Sequence, residues 1–476
     1  MTHLDMDPYD YQIEDMQFLV QFKKGALLHE PGVGKTFGAL LAMTYVLEKE
    51  GGQALVIMPP ILLDTWQEKL YTYFDTTLSS LIYRGTPLQR KKFNLVNHHI
   101  VFVSFDLFQR DYDIFKKIQW KYITIDETKY IKNGEVKKSA KTKRMNKFGC
   151  VQALTHKAEY VTLMNGTPVT KSPADLFHIL HLMNPNIYVS KKNFLRHHAK
   201  YSKDEGGFPM IVGWKNLNMI EELLTIYSRR LIKKEVLELP EKQLLIKQFN
   251  LEPKHQKKLK ELWDFGFLEM EDLSEEQKFL EGMSLMMQVR QAMIDPSIVD
   301  IKERSIYFDA LEDLLESLGG EQVILFAHFH NTINLLKEFL DGKKVKYREL
   351  HGRVGQAKKT AAVEGFKNKE FQLLLANAKS AGVGLDFQQA RNVIFFELDY
   401  EVDSFWQGQD RVHRPGQTEQ VNIWVFVSRN TPSVDLFRSV KTNINYVSEI
   451  LKGREDSSRL FDSRITIKEE EAWKNL

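Results

Sequence analysis

The residues with most chemistry to offer lie in one run, His29-Glu30-Pro31-Gly32-Val33-Gly34-Lys35-Thr36. Glycines let backbone amides close around phosphate oxygens without a Cβ in the way. A helix beginning near Lys35 points its positive end at the same anion. In that arrangement Lys35 reaches the β- and γ-phosphates of a nucleoside triphosphate and Thr36 holds Mg2+. The general pattern has glycine six residues before the lysine, where this chain has His29. An apolar run before the loop and a helical run after it supply the expected context. The competing reading is an ordinary glycine turn before a helix.

A second group is Asp126-Glu127, at the end of the apolar run YITIDE. Unpaired buried charge is expensive, so two acids closing a buried strand call for a partner. A metal ion is one: Asp126 would hold Mg2+, usually through water, and Glu127 would orient or deprotonate the attacking water. Acids facing solvent at a strand end are the alternative. A third group, Arg411 and Arg414 in QGQDRVHRPGQ, is spaced to share one face of a helix. Both could act as arginine fingers on a γ-phosphate, or sit on a solvated basic helix.

The elements that must position these residues follow from apolar rhythm. KKGALLHE, QALVIMPP, IVFVSF, YITIDE and YVTLMNG are short apolar runs separated by helical ones, as in buried parallel strands. KTFGALLAMTYVLEKE is an amphipathic helix stopped by Gly51-Gly52. The rhythm returns in EQVILFAHF, KYRELHG, FQLLLANA, RNVIFFEL and VNIWVFVS. The fold class is therefore α/β, with two parallel-sheet lobes and a mostly helical stretch between them from Pro185 to Pro296.

Bulk properties narrow the classes. At 476 residues the chain suits about two or three domains. It has 43% hydrophobic and 27% charged residues, as soluble globular proteins do. No run of about 18 apolar residues exists to cross a membrane, and the acidic N-terminus does not read as a secretory signal. The single cysteine, Cys150, excludes an internal disulfide framework and reads as an inert thiol; cytoplasmic residence is expected. A net charge of +3 means that any nucleic-acid surface must come from local charge separation. The stretch from Lys132 to Lys147, with seven basic residues and one acid, is a candidate DNA-facing loop or a solvated one. The stretch from Glu261 to Glu281, with eight acids and one lysine, reads as a solvated helical face. The pairs His98-His99 and His197-His198 read as surface, and His328 and His330 as loop residues, because none has partners at metal-ligand spacing.

The motifs, in order, resemble those of the Swi/Snf-type ATPases of helicase superfamily two. PYDYQ, from Pro8 to Gln12, looks like the adenine-reading glutamine motif. HEPGVGKT sits where that family has its phosphate loop. PPILLDTWQEKL contains Trp66, VSFDLF follows, and IDETKYIKN stands for the family's DEAHxIKN. NGTPVTKSPADLFHIL, from Asn165, and SRRLIKKEVLELPEK, from Ser228, match the next segments, and VRQAMIDP ends a helical insertion. VILFAHFHNTINLL, HGRVGQAKK, LLANAKSAGVGLDF and DRVHRPGQ fill the second lobe. The resemblance covers about Pro8 to Val427.

It implies two RecA-like lobes with ATP between them. The first spans 1–235 with a helical protrusion from about 185. Residues 236–300 form a linker and the second protrusion, 301–452 the second lobe, and 453–476 a charged tail. ATP and Mg2+ are the implied cofactors. Gln12 and His29 to Thr36 would bind the nucleotide, and Thr36 and Asp126 the metal. Lys35, Asp126, Glu127, Arg411 and Arg414 would carry catalysis. Ser104, Thr167, Lys379 and Ser380 would meet the DNA backbone, and Lys129, Gly382, Gly384 and Gln407 would couple the lobes. Lys129 replaces the histidine of DEAH, which points to different coupling contacts here; Thr128 replaces its alanine, and Asp386 a common asparagine.

The implied function is a DNA-stimulated ATPase, a monomer that translocates on duplex DNA and remodels DNA or protein–DNA complexes. Alternatives are a strand-separating or fork-annealing helicase, the motor subunit of a defence or restriction complex, and a nucleic-acid scaffold with a dead ATP site. With no chromatin-reading, zinc or nuclease motif, a minimal bacterial or viral motor is the expected source.

Overall fold

The computed structural model describes residues 3–4, 7–132, 145–203, 209–270, 274–377, 387–399, 402–434, 436–438 and 450. The chain divides into two compact units, one running to Glu238 and the other beginning at Leu239. Each is built on a parallel sheet.

The first unit has a seven-stranded sheet, with strands in the spatial order Ser228–Arg229, Lys24–Leu27, Tyr160–Met164, Tyr122–Asp126, Ala54–Met58, Ile100–Ser104 and Ser80–Tyr83. Every pairing is parallel. The central strands Ala54–Met58, Ile100–Ser104, Tyr122–Asp126 and Tyr160–Met164 are buried at every position, so their runs are apolar rather than alternating. Helix Lys35–Glu50 covers one face with Leu40, Met43, Val46 and Leu47, and Gly51 stops it with φ 71°.

The second unit has a six-stranded sheet in the order Lys242–Phe249, Val421–Ser428, Asn392–Phe395, Val323–Phe326, Leu373–Ala376 and Tyr347–Leu350, again all parallel. One face is packed around Leu311, Leu325, Leu336 and Phe396, the other around Phe326, Phe366, Phe395 and Val425. Alternating side chains of the same strands feed both cores.

The stretch between the lobes departs from the sequence expectation. Residues 236–300 were expected as linker and helices, yet strand Lys242–Phe249 pairs along its whole length with Val421–Ser428. It lies at the sheet edge and most of its residues are only half-buried, so its apolar signal is weak. An antiparallel hairpin, Ala199–Lys203 with Pro209–Trp214, interrupts the expected helices before it. Helices Pro253–Glu269 and Glu275–Ala292 hold the described part of the acidic stretch. Among the described residues no helix is long and apolar enough to cross a membrane.

Candidate active site

All strands of the first sheet run the same way, so the loops at their carboxyl ends gather along one edge. The run from His29 to Thr36 follows strand Lys24–Leu27, Asp126 closes strand Tyr122–Asp126, and Ser104 closes its neighbour but one. Asn165 and Thr167 follow strand Tyr160–Met164. Fold topology thus brings together residues more than 90 positions apart, as Lys35 and Asp126 are.

The phosphate loop turns on two glycines in the left-handed region, Gly32 at φ 90° and Gly34 at φ 87°. Gly34 caps helix Lys35–Glu50. A Cβ on Gly34 would strain the left-handed backbone and lie 2.7 Å from the side-chain nitrogen of Gln12, which would have to move. Gln12 is buried, and its side-chain oxygen accepts from the Tyr9 amide at 3.1 Å. Tyr11 donates its hydroxyl to the Val33 carbonyl at 3.0 Å. The glutamine motif therefore rests directly on the phosphate loop. Lys35 Nζ donates to the carbonyls of His29 at 2.8 Å and Glu30 at 3.0 Å. Gly166 is held to the same loop, since a Cβ there would meet Pro31 at 2.8 Å.

Asp126 is buried, and its Oδ2 accepts from the Trp66 indole at 3.1 Å. Burial pushes its carboxyl up to about 7; Glu127 adds to this, while Lys35 and the Trp66 bond oppose it. Such a carboxylate, facing a lysine beside a phosphate loop, fits a site for a divalent cation, whose charge would offset the desolvation. Glu127 has φ 60° and ψ 64°, a left-handed conformation that costs a non-glycine residue on the order of 1–3 kcal/mol. That bend turns it away from the strand direction. Its Oε2 has no hydrogen-bond partner among the described residues, and Lys129 Nζ lies 3.7 Å from it. A carboxylate held in strained backbone, with an oxygen that accepts no hydrogen bond and has only a long ion pair to Lys129, suits a proton acceptor.

The remaining expected residues fall in several places. Ser104 is a buried cap whose hydroxyl accepts from the Leu107 amide at 3.5 Å. Thr167 is also buried; its amide donates to Asn165 Oδ1 at 2.9 Å, and Asn165 Nδ2 donates to Thr128 at 2.9 Å. That chain of bonds ties the loop after one central strand to the loop after the next. In the second unit Gln407 is buried on helix Val402–Gln409. That helix ends before Arg411 and Arg414, so the expected shared helical face is not formed. Arg411 is buried in the following turn and Arg414 is half-buried, its Nε bonded to the Asp410 carbonyl at 2.6 Å. Burial lowers the Arg414 guanidinium to about 10, which leaves it charged at neutral pH. Lys379, Ser380, Gly382, Gly384 and Asp386 lie outside the described residues, as does most of the basic stretch after Lys132.

Nothing along the sequence marks Trp66 as a partner of Asp126, or Asp15 as a partner of His29. One histidine reading is corrected: His198 is fully buried, with Nε2 2.6 Å from the Tyr188 hydroxyl. A buried histidine with a satisfied ring gives no signal that separates it from a surface one in an HH pair.

The SNF2-related domain matches residues 11–298, and the helicase conserved C-terminal domain matches residues 307–416. The chromatin structure-remodeling complex subunit snf21 of Schizosaccharomyces pombe is 23% identical over 98% of this chain and 40% of its own length. The "probable ATP-dependent DNA helicase CHR12" of Arabidopsis thaliana is 26% identical over 93% of this chain and 42% of its own. The chain thus spans about two fifths of these relatives. The solved SWI2/SNF2 ATPase core of Sulfolobus solfataricus in complex with dsDNA aligns over 96% of this chain and 97% of its own, at 21% identity and a TM-score of 0.44. Because the first of the two domain matches alone covers more than half of the 476 residues, the chain belongs to the SNF2-related family, the Swi/Snf-type ATPases of helicase superfamily two.

Proposed function

We propose that this protein is a DNA-stimulated ATPase that translocates along duplex DNA and remodels DNA or protein–DNA complexes. The observation that carries the ATPase part is the meeting, on one edge of one sheet, of a left-handed-glycine phosphate loop, Lys35 and the Asp126–Glu127 pair. The triphosphate would lie along the amides of Gly32 to Thr36, with Lys35 exchanging the carbonyls of His29 and Glu30 for phosphate oxygens. Thr36 and Asp126 would hold Mg2+, which when bound neutralises charge on the phosphates. Glu127 orients the attacking water and takes its proton. Gln12, fixed against Gly34, reads the adenine edge.

The DNA part is supported by what the relatives are called, a chromatin-remodelling subunit and a DNA helicase. ATP turnover should be measured without nucleic acid and with duplex, single strand, fork and RNA. Duplex should stimulate it most, and Lys35→Ala should abolish it in every case. Equal turnover under all conditions would overturn the DNA-motor reading. Displacement of a triplex strand without unwinding of a fork supports duplex tracking, whereas robust fork unwinding would make the protein a strand-separating helicase instead.

A further inference from the structure

His29 occupies the place where the general phosphate loop has glycine, and it is not a passive replacement. Its side chain is fully buried, and Nε2 lies 2.8 Å from Oδ2 of Asp15, which is 1% exposed. Burying both groups is costly unless each is paired. The other Asp15 oxygen accepts from Arg229 Nε at 2.8 Å, and Arg229 also holds Glu14 at 2.6 Å. The phosphate-loop helix passes close to this carboxylate at Gly38: a Cβ there would lie 3.1 Å from Asp15 Oδ2, so the aspartate would have to give way slightly. His29 Nδ1 has no hydrogen-bond partner among the described residues. Burial holds the imidazole below its usual pKa, against the pull of Asp15. The ring therefore donates Nε2–H to Asp15 and leaves Nδ1 as a bare lone pair.

The backbone beside this ring is the backbone that Lys35 uses, since the carbonyls of His29 and Glu30 receive its ammonium. The same short stretch is pinned from behind by the segment that closes the unit. The Glu30 amide donates to the Leu231 carbonyl at 2.9 Å, the Lys233 amide to the Glu30 carboxylate at 2.8 Å, and Arg230 to the Leu28 carbonyl at 2.9 Å. Glycine at position 29 would leave only these backbone ties. A histidine locked to a buried carboxylate adds a side-chain anchor at the point where the loop begins its turn.

We propose that His29 and Asp15, backed by Arg229, are positioning residues for the nucleotide's phosphates: their buried pair fixes the loop backbone that aims Lys35 and the amides of Gly32 to Thr36. This rests on the ATP reading above. The physical stake is registration, because displacing a binding group by about 1 Å can cost on the order of a hundredfold. The pair also joins the glutamine-bearing helix Asp10–Phe22 to the loop, so both ends of the nucleotide site share one anchor.

The test is steady-state ATP turnover with duplex DNA, together with equilibrium binding of a fluorescent ATP analogue, on the full chain. The variants are Asp15→Asn, His29→Gln, Arg229→Lys, the exchange Asp15→His with His29→Asp, and Lys35→Ala. Asp15→Asn and His29→Gln should each raise KM and the analogue's Kd about tenfold, with kcat changed less than about threefold, the loss expected for a bond to a charged group. The exchange restores the pairing and should return KM to within about threefold of wild type. Arg229→Lys, which leaves the His29–Asp15 pair intact, should raise KM about threefold and keeps the test open if the single variants fail to fold. Unchanged KM and Kd with only a lowered melting temperature would show that the pair merely packs, and would overturn the proposal. If Lys35→Ala binds the analogue as well as wild type, the ATP reading itself has failed, whatever the other variants do.

Discussion

At the scale of single residues, two positions make the sharpest demands. Glu127 sits in left-handed backbone with an unbonded Oε2 among the described residues. Glu127→Gln keeps the shape but removes the proton acceptor, so turnover should fall on the order of 100- to 1000-fold while ATP binding persists. Undiminished turnover in a single-turnover assay would remove Glu127 from the chemistry. Gly34 faces both a φ of 87° and the amide nitrogen of Gln12. Gly34→Ala must either flatten that turn, at about 1–2 kcal/mol, or push Gln12 away. It should weaken ATP binding by at least about tenfold, as calorimetric titration would show. The sequence identified both residues by motif. It carried no sign that Trp66 bonds the Asp126 carboxylate, because 60 residues separate them and only the sheet brings them together.

At the scale of elements, the two edges of the first sheet do different work. Loops at its carboxyl edge hold the proposed ATP site, with Lys35, Asp126 and Glu127. The opposite edge is stitched by charge: Glu159 meets Lys23 at 2.6 Å and Lys121 at 2.5 Å, and Lys121 meets Glu50 at 2.7 Å. These hydrogen bonds to Lys121 and Lys23 pull the Glu159 carboxyl down to about 2 from an ordinary 4.5. A lowered folded pKa gives stability that is present above about 4.5 and lost as pH falls toward about 2. Glu159→Gln should therefore flatten the fall in melting temperature across that window and leave it unchanged in 1 M salt, where the exposed cluster is screened. A wild-type profile in the variant would show that the cluster adds nothing. The buried strands were legible because their runs are almost continuously apolar. The edge strands Lys242–Phe249, Ser80–Tyr83 and Ser228–Arg229 were not, because half-exposed edges admit polar residues and short strands have no period to read.

At the scale of the whole molecule, each unit has its own sheet and its own buried clusters. Unfolding in urea should consequently depart from a single two-state transition. An ATP analogue at about 100 times its Kd should add about 2.7 kcal/mol to the unit that binds it. Tryptophan fluorescence can follow this in variants that keep only Trp66 or only Trp424 of the seven tryptophans, because Trp66 is buried in the first unit and Trp424 lies on a strand of the second. The transition reported by Trp66 should move to higher urea and that reported by Trp424 should stay. Equal shifts of both would place nucleotide binding outside the first unit alone.

The sequence by itself determined the parallel α/β lobes and the family, and it singled out the candidate phosphate loop and acid pair. Each of these depends on local patterns: apolar runs, glycines before a helix, acids at a strand end. Tertiary structure alone decided that the strand after Leu239 belongs to the second sheet, that Arg411 lies beyond its helix in a buried turn, and that His198 is core. It also decided what His29 is. Read along the chain, that residue is a missing glycine. In the fold it meets Asp15 of helix Asp10–Phe22 and, through it, an arginine 200 positions later. No local pattern encodes such a meeting, because it exists only after the sheet has brought three distant segments together.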